Sequence, residues 1–591
     1  MPRPVSRSVR LLLLLSLWAA AFLASSISPP LLDDADATHS QAAQYMLHHG
    51  DWVTLHVDGI RYLEKAPLPY WIVAVSMKLF GENAFAAHLP LALTVLGLAL
   101  LAWRWAARAF DEDTAFLAAL MTLTSTGVFL FTRVFIPDVL LALLLCLSLY
   151  AALRALEGDS PRHAYLFWIA LALAVLTKGL VALVFAFAAI GLFLLFTRRL
   201  RELSKLRPVT GTLLMLAIAA PWHILAGLRN TGGANGHGFF WFYFVNEHIL
   251  RFLGRRLPRD YNKMPAAAYW LAHLVWLFPW SLFLPAAFSR RQAEPRSTFG
   301  RDTLTLLALY SAFVLLFFSL STNQEYYTLP AYLPLLMLLA SRLTQSDSSK
   351  RITLALASFT VLGAAIAITL FVGLWQSRAL PFNPDIGSAL ARRAVGNYTL
   401  SMSHFFDLTG PSFAALRLPA IIAMITFAIG PAIALTQWTK QRRLIPAATT
   451  VAITTTVFFV AAHIALVRFA PMLSSEAFAT CIRTLEQRDP TAQTALYGDQ
   501  AYGSSIPFYL GQEVALVDGR STSMLFGSTF PDAPPIFLTP SQYAAQWGIG
   551  PRKLLFVPDE KRQVVDQLLG TRSILVMTQS GKALLTDRPL P

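Results

Sequence analysis

Charged residues and cysteines are both scarce in this chain of 591 residues. Charged residues make up 14% of it, whereas soluble proteins average about 25%. The two cysteines, Cys146 and Cys481, belong to no CxxC or Cys/His cluster, which argues against a disulfide framework and a thiolate metal site. The C-terminal region contains no nucleotide-binding glycine loop, and no sequence repeat is found elsewhere. The composition therefore excludes an ordinary soluble protein.

Hydrophobic residues, by contrast, make up 55% of the chain, and the mean hydropathy is +0.52. A bilayer core of about 30 Å needs roughly 20 apolar residues per helix. On that length the sequence predicts about thirteen transmembrane helices, around 11–28, 85–103, 114–131, 137–153, 165–177, 180–197, 210–228, 266–288, 303–320, 326–341, 352–375, 414–437 and 446–467. The first run follows basic residues as a secretory signal would, but we interpret it as an uncleaved helix because many spans follow.

Basic residues recur in every second connection between these predicted helices. The positive-inside rule assigns such connections to the cytoplasm, so we predict a cytoplasmic N-terminus and a C-terminus on the opposite side. Two helices rather than one around Lys178 keep this alternation in phase. We interpret the net charge of +15 as topology and as attraction to anionic membrane lipids, not as nucleic-acid binding.

The predicted organisation has two parts. Residues 1–470 form a helical membrane domain with three long external loops, 29–84, 229–265 and 376–413. These loops are rich in aromatic residues, Asp and His, which is typical of helices lying at the membrane interface. Residues 471–591 alternate short strands, as at 493–497, 513–517 and 553–557, with polar helices. This pattern predicts a small external α/β domain.

Ionisable residues gather at the predicted outer edge of the membrane, where a charge is costly unless it is paired or functional. Asp33, Asp34 and Asp36 lie just before a predicted amphipathic helix. Aspartate is a favoured N-cap residue, but three carboxylates within four residues exceed what one cap needs. One of the three is therefore a candidate general base, which would accept the proton of an acceptor hydroxyl while its neighbours cap the helix or position the base.

The same loop continues through Arg61, Glu64 and Lys65. Lys65 is a candidate for binding a phosphate, because an ammonium group acts on it as a point charge. The structural alternative is a simple interfacial pair of Glu64 with Lys65.

Two further ionisable residues stand at the ends of predicted spans. Asp138 lies five residues after Arg133, and an ion pair between them is the structural alternative to a role in a site. Lys178 lies between two apolar runs with no acid nearby in the sequence. A substrate anion or a distant carboxylate must therefore satisfy its charge.

The segment 241–253, WFYFVNEHILRFL, predicts an aromatic helix at the membrane interface, interrupted by Glu247, His248 and Arg251. A single histidine is more often structural than a metal ligand. Glu64 with His248 could form part of an open metal site, since Zn²⁺ accepts both ligand types; Mg²⁺ or no metal are the alternatives.

Together these segments resemble the polyprenyl-phosphate-sugar-dependent glycosyltransferases of the GT-C fold, in particular the bacterial lipid A aminoarabinose transferases and the protein O-mannosyltransferases. The resemblance rests on the acidic cluster and on motifs that follow it in the same order over about 340 residues, namely MLHHGDWVTLHVDGIRYLEKAPLPYW, FGENAFAAHLP, RVFIPD, LTKG, NEHILRF and QEYYTLPAYLP. It implies a GT-C membrane fold for the helical domain.

The resemblance also implies roles for the candidate residues. Asp34 or Asp36 would be the catalytic aspartate of the first external loop, and Asp138 the second acidic residue of the site. Glu64 with His248 would match a metal-binding pair. The donor phosphate would be bound by a group of cationic and hydroxyl side chains, Arg61, Lys65, Lys178, Arg251 and Tyr327.

The chain departs from the family pattern at two points. Ala35-Asp36 stands where an Asp-Glu pair is usual, so the choice between Asp34 and Asp36 stays open. Lys65-Ala66-Pro67 replaces Lys-Pro-Pro, which keeps the lysine but loosens the turn.

The resemblance implies transfer of a sugar, with inversion, from a polyprenyl-phosphate carrier to a lipid or protein acceptor on the periplasmic side of a bacterial inner membrane. A secondary transporter would instead show internal repeats and charges near the bilayer midplane. A non-catalytic scaffold would only anchor the outer domain. Both remain alternatives at this point.

Overall fold

Helices make up most of the protein. The structure is a computed structural model, and it describes residues 6–258, 264–287, 297–321, 324–345, 349–390, 408–520 and 522–590. Ten α-helices precede residue 230 in the described part, α1 (Arg7–Trp18), α2 (Ala35–His49), α3 (Leu68–Phe80), α4 (Ala84–Ala109), α5 (Glu112–Leu123), α6 (Thr126–Leu130), α7 (Asp138–Gly158), α8 (Pro161–Lys178), α9 (Val181–Phe196) and α10 (Pro208–Arg229). Two short strands, β1 (His56–Val57) and β2 (Ile60–Arg61), form an antiparallel hairpin between α2 and α3.

The rest of the helical region contains eight further α-helices among the described residues. They are α11 (Ala266–Trp276), α12 (Leu284–Ala287), α13 (Thr298–Leu320), α14 (Tyr332–Gln345), α15 (Ser349–Ser377), α16 (Gly410–Ala415), α17 (Arg417–Gln441) and α18 (Leu444–Leu473). Parts of two predicted external loops, 259–263 and 391–407, lie outside the described residues, as does the end of the predicted span 266–288.

Within the described ranges, eight helices are long and apolar enough to cross a membrane, and a bent pair raises the number to nine. The pair joins Ala266–Trp276 to Trp280–Ala287 at an angle of 97°. The predicted count of about thirteen is therefore not confirmed, although each predicted stretch contains helix. Several of these helices are short or broken, as at 114–131, where α5 ends at Leu123 and α6 begins at Thr126.

The predicted break after Lys178 is present, since α8 ends at that residue and α9 begins at Val181. Gly179 joins them with a φ of +74°, a conformation that glycine adopts without strain. A β-carbon at Gly179 would also collide with the His248 ring and the Tyr243 hydroxyl. The glycine thus lets the α8–α9 junction approach the helix that carries His248.

That helix, Trp241–Leu250, is a π-helix. Such wide turns are rare and occur frequently at functional sites, because they change which side chains share a face. Phe242, Tyr243, Asn246 and Glu247 are its buried residues. The aromatic segment predicted at the membrane interface is therefore helical, as expected.

The C-terminal region forms a six-stranded sheet with helices, which confirms the predicted α/β character. Its elements are α19 (Glu476–Arg488), β3 (Gln493–Tyr497), α20 (Ser505–Leu510), β4 (Ala515–Val517), α21 (Thr522–Leu525), β5 (Phe537–Leu538), α22 (Pro540–Gln546), β6 (Lys553–Pro558), α23 (Asp559–Leu569), β7 (Ile574–Gln579) and β8 (Lys582–Thr586). The strand order is β5-β4-β3-β6-β8-β7, parallel from β5 to β6 and antiparallel from β6 to β7. The domain boundary at 470/471 stays a prediction.

Segments that follow β3 contact the first external loop. Leu31 N–H donates to the Tyr509 hydroxyl at 2.8 Å, and Gln44 Nε2 donates to the Phe508 carbonyl at 3.1 Å. The carboxyl ends of parallel strands are the edge where α/β domains usually bind ligands. Here this part of the C-terminal domain packs on the loop that carries the acidic cluster.

Candidate active site

A cavity of about 1010 Å³, counting the part that opens to solvent, lies where the external loops meet the helix ends. Seven of the ten predicted site residues line it, namely Glu64, Lys65, Asp138, Lys178, His248, Arg251 and Tyr327. Phe252, Phe317 and Phe318 line an apolar part of the same cavity. The structure thus brings residues together that are up to 263 positions apart in the sequence.

Asp138 and Lys178 form an ion pair in this cavity. Lys178 Nζ donates to Asp138 Oδ1, so of the two partners that the sequence allowed for Lys178, a substrate anion or a distant carboxylate, the structure shows the carboxylate. The Tyr327 ring lies 4.2 Å from Nζ, and such a cation–π contact adds to the stabilisation of the ammonium. Asp138 is 1% exposed, and its Oδ2 has no hydrogen-bond partner within the part of the chain that the structure describes.

Arg133 is not the partner of Asp138, so the local ion pair considered from the sequence is absent in the structure. Its guanidinium donates to the Phe129 carbonyl and the Ser25 hydroxyl instead. The guanidinium also lies over the Phe129 ring, 4.7 Å from its centroid. Asp138 is therefore left to interact with Lys178.

Glu64, another lining residue, belongs to a buried ionic network. Arg256 donates to Glu64 Oε2 and, through Nε, to Glu247 Oε1 at 2.7 Å. Burial raises the pKa of Glu64, but the positive charges of Lys65 and Arg256 outweigh it and lower the pKa to about 2. Glu64 is consequently ionised at all physiological pH values.

Lys65 and Arg251 place two more positive charges at the cavity. Lys65 Nζ lies 3.4 Å from Glu64 Oε1, and its side chain is 26% exposed, so this ammonium can reach a bound anion. Arg251 donates to Glu247 Oε2 at 3.2 Å and to the Tyr327 hydroxyl at 3.0 Å. The two contacts fix the guanidinium beside Lys178 and Tyr327.

The predicted metal pair of Glu64 and His248 does not fit a metal in this arrangement. His248 Nε2 accepts a hydrogen bond from Leu180 N–H at 3.1 Å, and Nδ1 lies 2.6 Å from the Tyr243 carbonyl. Both ring nitrogens are therefore engaged, and Glu64 is held by Arg256. The described residues also contain no group of three or more His, Cys, Asp or Glu that could hold a metal ion.

Asp34 does not itself line the cavity, but it directly precedes the lining residue Ala35. It occupies the N-cap position of α2, but its side chain makes no capping hydrogen bond, so capping does not explain it. Its φ of 69° is strained for a residue other than glycine. The residue is exposed, yet dense surrounding protein and the negative charges of Asp499 and Asp33 raise the pKa of its carboxyl to about 6.

Asp36, the second candidate base, lies outside the cavity, and the structure corrects this prediction. Its carboxylate is fully buried and accepts three hydrogen bonds, from His88 Nε2, Phe135 N–H and Leu32 N–H. A carboxylate committed to three donors connects structural elements rather than accepting a proton from a substrate. Of the two aspartates, Asp34 alone is left as a candidate base.

Arg61 also lies away from the cavity, which corrects its predicted role in binding the donor phosphate. Its guanidinium forms a two-pronged ion pair with Asp532 of the C-terminal region. It also stacks over the Phe530 ring at 4.4 Å. Arg61 therefore joins the β1–β2 hairpin to the C-terminal domain.

Arg256 was missed by the sequence reasoning although it pairs with two carboxylates at the cavity wall. The doublet Arg255-Arg256 follows the NEHILRF motif and was the available signal. The sequence does not distinguish the two arginines, whereas the structure buries Arg256 and exposes Arg255.

Comparisons with known proteins bear on the same residues. The model of the dolichyl-phosphate-mannose-protein mannosyltransferase family matches residues 64–225, a stretch that includes Glu64, Lys65, Asp138 and Lys178. An undecaprenyl phosphate-alpha-4-amino-4-deoxy-L-arabinose arabinosyl transferase of Pseudomonas aeruginosa (strain UCBPP-PA14) is 31% identical over 317 residues, or 52% of this chain and 55% of the relative. The transferase of the same description from Aeromonas hydrophila is 32% identical over 318 residues, 53% of this chain and 56% of the relative.

The chain thus spans about half the length of the curated relatives that it matches. Among solved structures, ArnT from Cupriavidus metallidurans bound to undecaprenyl phosphate superposes with a TM-score of 0.79 at 20% identity, covering 99% of both chains. The apo form of that protein gives 0.77 over 98% of both chains.

These likenesses define the class by its fold: the chain is a multi-pass helical membrane protein of the GT-C type with a small C-terminal α/β region. Within that class it resembles the bacterial aminoarabinose transferases and the protein O-mannosyltransferase family. The predicted fold class and the predicted resemblance are confirmed.

Proposed function

We propose that this chain is a membrane glycosyltransferase, which moves a sugar from a polyprenyl-phosphate carrier to an oxygen of an acceptor. One observation carries the proposal: the cavity joins the cations Lys65, Lys178 and Arg251 to the acid Asp138 beside an apolar wall. Such a site suits a ligand with an anionic phosphate and a hydrophobic tail. The names of the relatives from P. aeruginosa and A. hydrophila support undecaprenyl phosphate as the carrier.

The cations would act on the leaving group. As the bond between the anomeric carbon and the phosphate oxygen breaks, its electron pair passes to the phosphate, and negative charge develops there. Lys65 and Lys178 place positive charges at the cavity, so they would stabilise this charge as it develops. Arg251, held by Glu247 and Tyr327, completes the phosphate-binding group.

Asp34 would act on the acceptor. It accepts the proton of an acceptor hydroxyl, whose oxygen then forms the new bond to the anomeric carbon from the side opposite the leaving phosphate, with inversion. An acceptor phosphate is already anionic and needs this base less. Asp138 would position the Lys178 ammonium through their ion pair. No step of this scheme passes through a metal ion.

The proposed orientation of the chain in the membrane rests on the distribution of basic residues. Basic connections on one side of the predicted spans support a cytoplasmic N-terminus, which would place the cavity and the C-terminal domain in the periplasm of a bacterium with an inner membrane. The relatives come from bacteria of that kind. Lipid A or another envelope glycolipid is the acceptor that we favour, and a protein hydroxyl is the alternative suggested by the mannosyltransferase family.

A transfer assay tests the proposal. The full chain in detergent would be incubated with labelled undecaprenyl-phosphate sugars, 4-amino-4-deoxy-L-arabinose first and mannose second, and with lipid A or a serine-rich peptide. We expect label in one acceptor, together with free undecaprenyl phosphate. Absence of transfer from both donors to both acceptors, by folded protein, would contradict the proposal and favour a transporter or scaffold.

A further inference from the structure

Asp33, the neighbour of the proposed base, is held by the C-terminal domain on both carboxylate oxygens. Oδ1 accepts hydrogen bonds from the backbone N–H and the hydroxyl of Ser505, at 2.9 and 2.7 Å. Oδ2 accepts from the Ser475 hydroxyl and from Lys582 Nζ, both at 2.7 Å. These donors are at least 442 positions from Asp33 in the sequence.

Lys582 is equally committed to this contact. It begins β8, and its ammonium also donates to the Ser474 carbonyl at 3.2 Å and to the Ser475 hydroxyl at 3.1 Å. An ammonium has three N–H donors, and these partners account for all of them. Both side chains of the Asp33–Lys582 pair are 10% exposed, so little solvent screens their attraction.

The contact extends to the backbone of Asp34. The Ser504 hydroxyl donates to the Asp34 carbonyl at 3.3 Å, and Asp33 N–H donates to the Leu473 carbonyl at 2.7 Å. The strained φ of Asp34 persists only if its surroundings hold it there. The hydrogen bonds of Asp33 and of the Asp34 carbonyl hold this conformation, and none of these bonds involves the Asp34 carboxylate.

A second ion pair links the same two regions without touching this segment. Arg61, on β2, pairs with Asp532, whose side chain is 66% exposed. Neither residue lines the cavity. Among the described residues, two ion pairs therefore connect the first external loop to the C-terminal domain, of which one lies beside Asp34 and the other lies away from it.

We propose that Asp33 and Lys582 are positioning residues, through which the C-terminal domain holds Asp34 in its geometry for accepting the acceptor's proton. This inference rests on the proposed function. The C-terminal domain is then a working part of the transfer site, and not only a domain attached to it. A base displaced by about 1 Å can lose about 10²-fold in rate, whereas binding of the donor phosphate depends on Lys65, Lys178 and Arg251.

The test compares Asp33→Asn/Lys582→Met, which removes both buried charges together, with the control Asp532→Asn. Transfer kinetics would be measured on full-length protein that elutes as a single species and melts within a few degrees of wild type. For the double variant we expect kcat to fall at least ~10-fold with a donor KM near the wild-type value. The control should keep both constants.

A second readout separates positioning from general destabilisation. If Asp33 and Lys582 act through Asp34, Asp34→Asn should cost much less kcat in the double-variant background than in wild type, because interacting residues are non-additive. Full additivity would overturn the proposal, as would wild-type kcat in the double variant or an equal loss in the control. If the double variant does not fold, Ser505→Ala serves instead, with a smaller loss of kcat expected and an unchanged kcat overturning the inference.

Different experimental results would contradict the proposed function and the positioning role of Asp33 and Lys582. Wild-type protein that transfers no sugar contradicts the proposed function and with it this inference. Wild-type protein that transfers sugar, while the double variant does so at the same rate, contradicts only the positioning role.

Discussion

Lys178 Nζ lies 2.5 Å from Asp138 Oδ1, although the two residues are 40 positions apart and belong to different helices. The pair joins the end of α8 to the start of α7 at the predicted membrane edge. Asp138 is buried and binds Lys178 through one oxygen, and Lys178 shares the cavity with two more cations, Lys65 and Arg251. This arrangement suits a phosphate ligand.

Lys178→Met should weaken donor binding strongly. The variant removes one charge-assisted contact, worth about 1.5–3 kcal/mol, and we expect the KM for the donor to rise roughly 10- to 100-fold, with a loss of kcat. Transfer kinetics with varied donor concentration measure both. Lys78→Met, at an exposed lysine near the end of α3, is the matched control and should behave as wild type. Equal kinetics of the two variants would contradict a phosphate-binding role for Lys178.

The two aspartates of the first loop should respond differently to the same substitution. Asp34→Asn removes the proposed base, so kcat with a hydroxyl acceptor should fall ~100-fold or more while the melting temperature stays near that of wild type. Asp36→Asn disturbs three buried hydrogen bonds, so its main effect should be a loss of stability of about 1–3 kcal/mol. Full transfer by Asp34→Asn would exclude it as the base.

The raised pKa of Asp34 predicts a pH dependence. A base acts only when deprotonated, so a pKa of about 6 in the free enzyme means that kcat/KM is at its plateau above pH 7 and falls as the pH drops through 6. Below the pKa the decline should approach about tenfold per pH unit. A profile of kcat/KM between pH 5 and 8 with a hydroxyl acceptor would measure this decline, and the profile of Asp34→Asn should be flat. A flat wild-type profile would contradict the assignment.

Arg256→Met should destabilise the protein, because it leaves Glu64 and Glu247 buried without their shared cation. Removing one partner of a buried ion pair costs about 3–5 kcal/mol, which thermal unfolding in detergent would register as a large drop in melting temperature. Its neighbour Arg255 is exposed, and Arg255→Met should unfold at the wild-type temperature. Indistinguishable melting curves would show that the network contributes little.

A metal at Glu64 and His248 stays a prediction from the sequence, and the hydrogen bonds of His248 argue against it. We expect transfer to continue at an unchanged rate after treatment with EDTA and removal of the chelator. Loss of transfer that Zn²⁺ or Mg²⁺ restores would contradict this expectation and would require His248 to exchange the Leu180 N–H for a metal.

The helical architecture could be predicted because hydrophobicity is a local signal. Apolar runs marked α4, α7 and α10 within a few residues, and the break at Gly179 followed from the charge alternation. The number of membrane crossings could not be predicted, because a run such as 114–131 breaks into α5 and α6 at Thr124 and Ser125, short polar residues that occur inside membrane helices as well as at their ends.

The sequence predicts most of the residues that form the site, but not which of them contact one another. Asp34 stands before α2 with a positive φ, whereas Asp36 lies in the first turn of that helix, so the two side chains have different surroundings although they are two positions apart. Arg61 was misassigned because its partner, Asp532, is 471 positions away in a different domain. No local pattern reports a contact of that range.

The central claim is that the cavity releases a polyprenyl phosphate as it transfers a sugar. The most direct test is to count both products, labelled acceptor and free undecaprenyl phosphate, for wild type, Lys65→Met and Asp34→Asn under identical conditions. We predict one released carrier per sugar transferred by wild type, and a large loss of both products in the two variants. Carrier release without sugar transfer, or wild-type yields in both variants, would contradict the account.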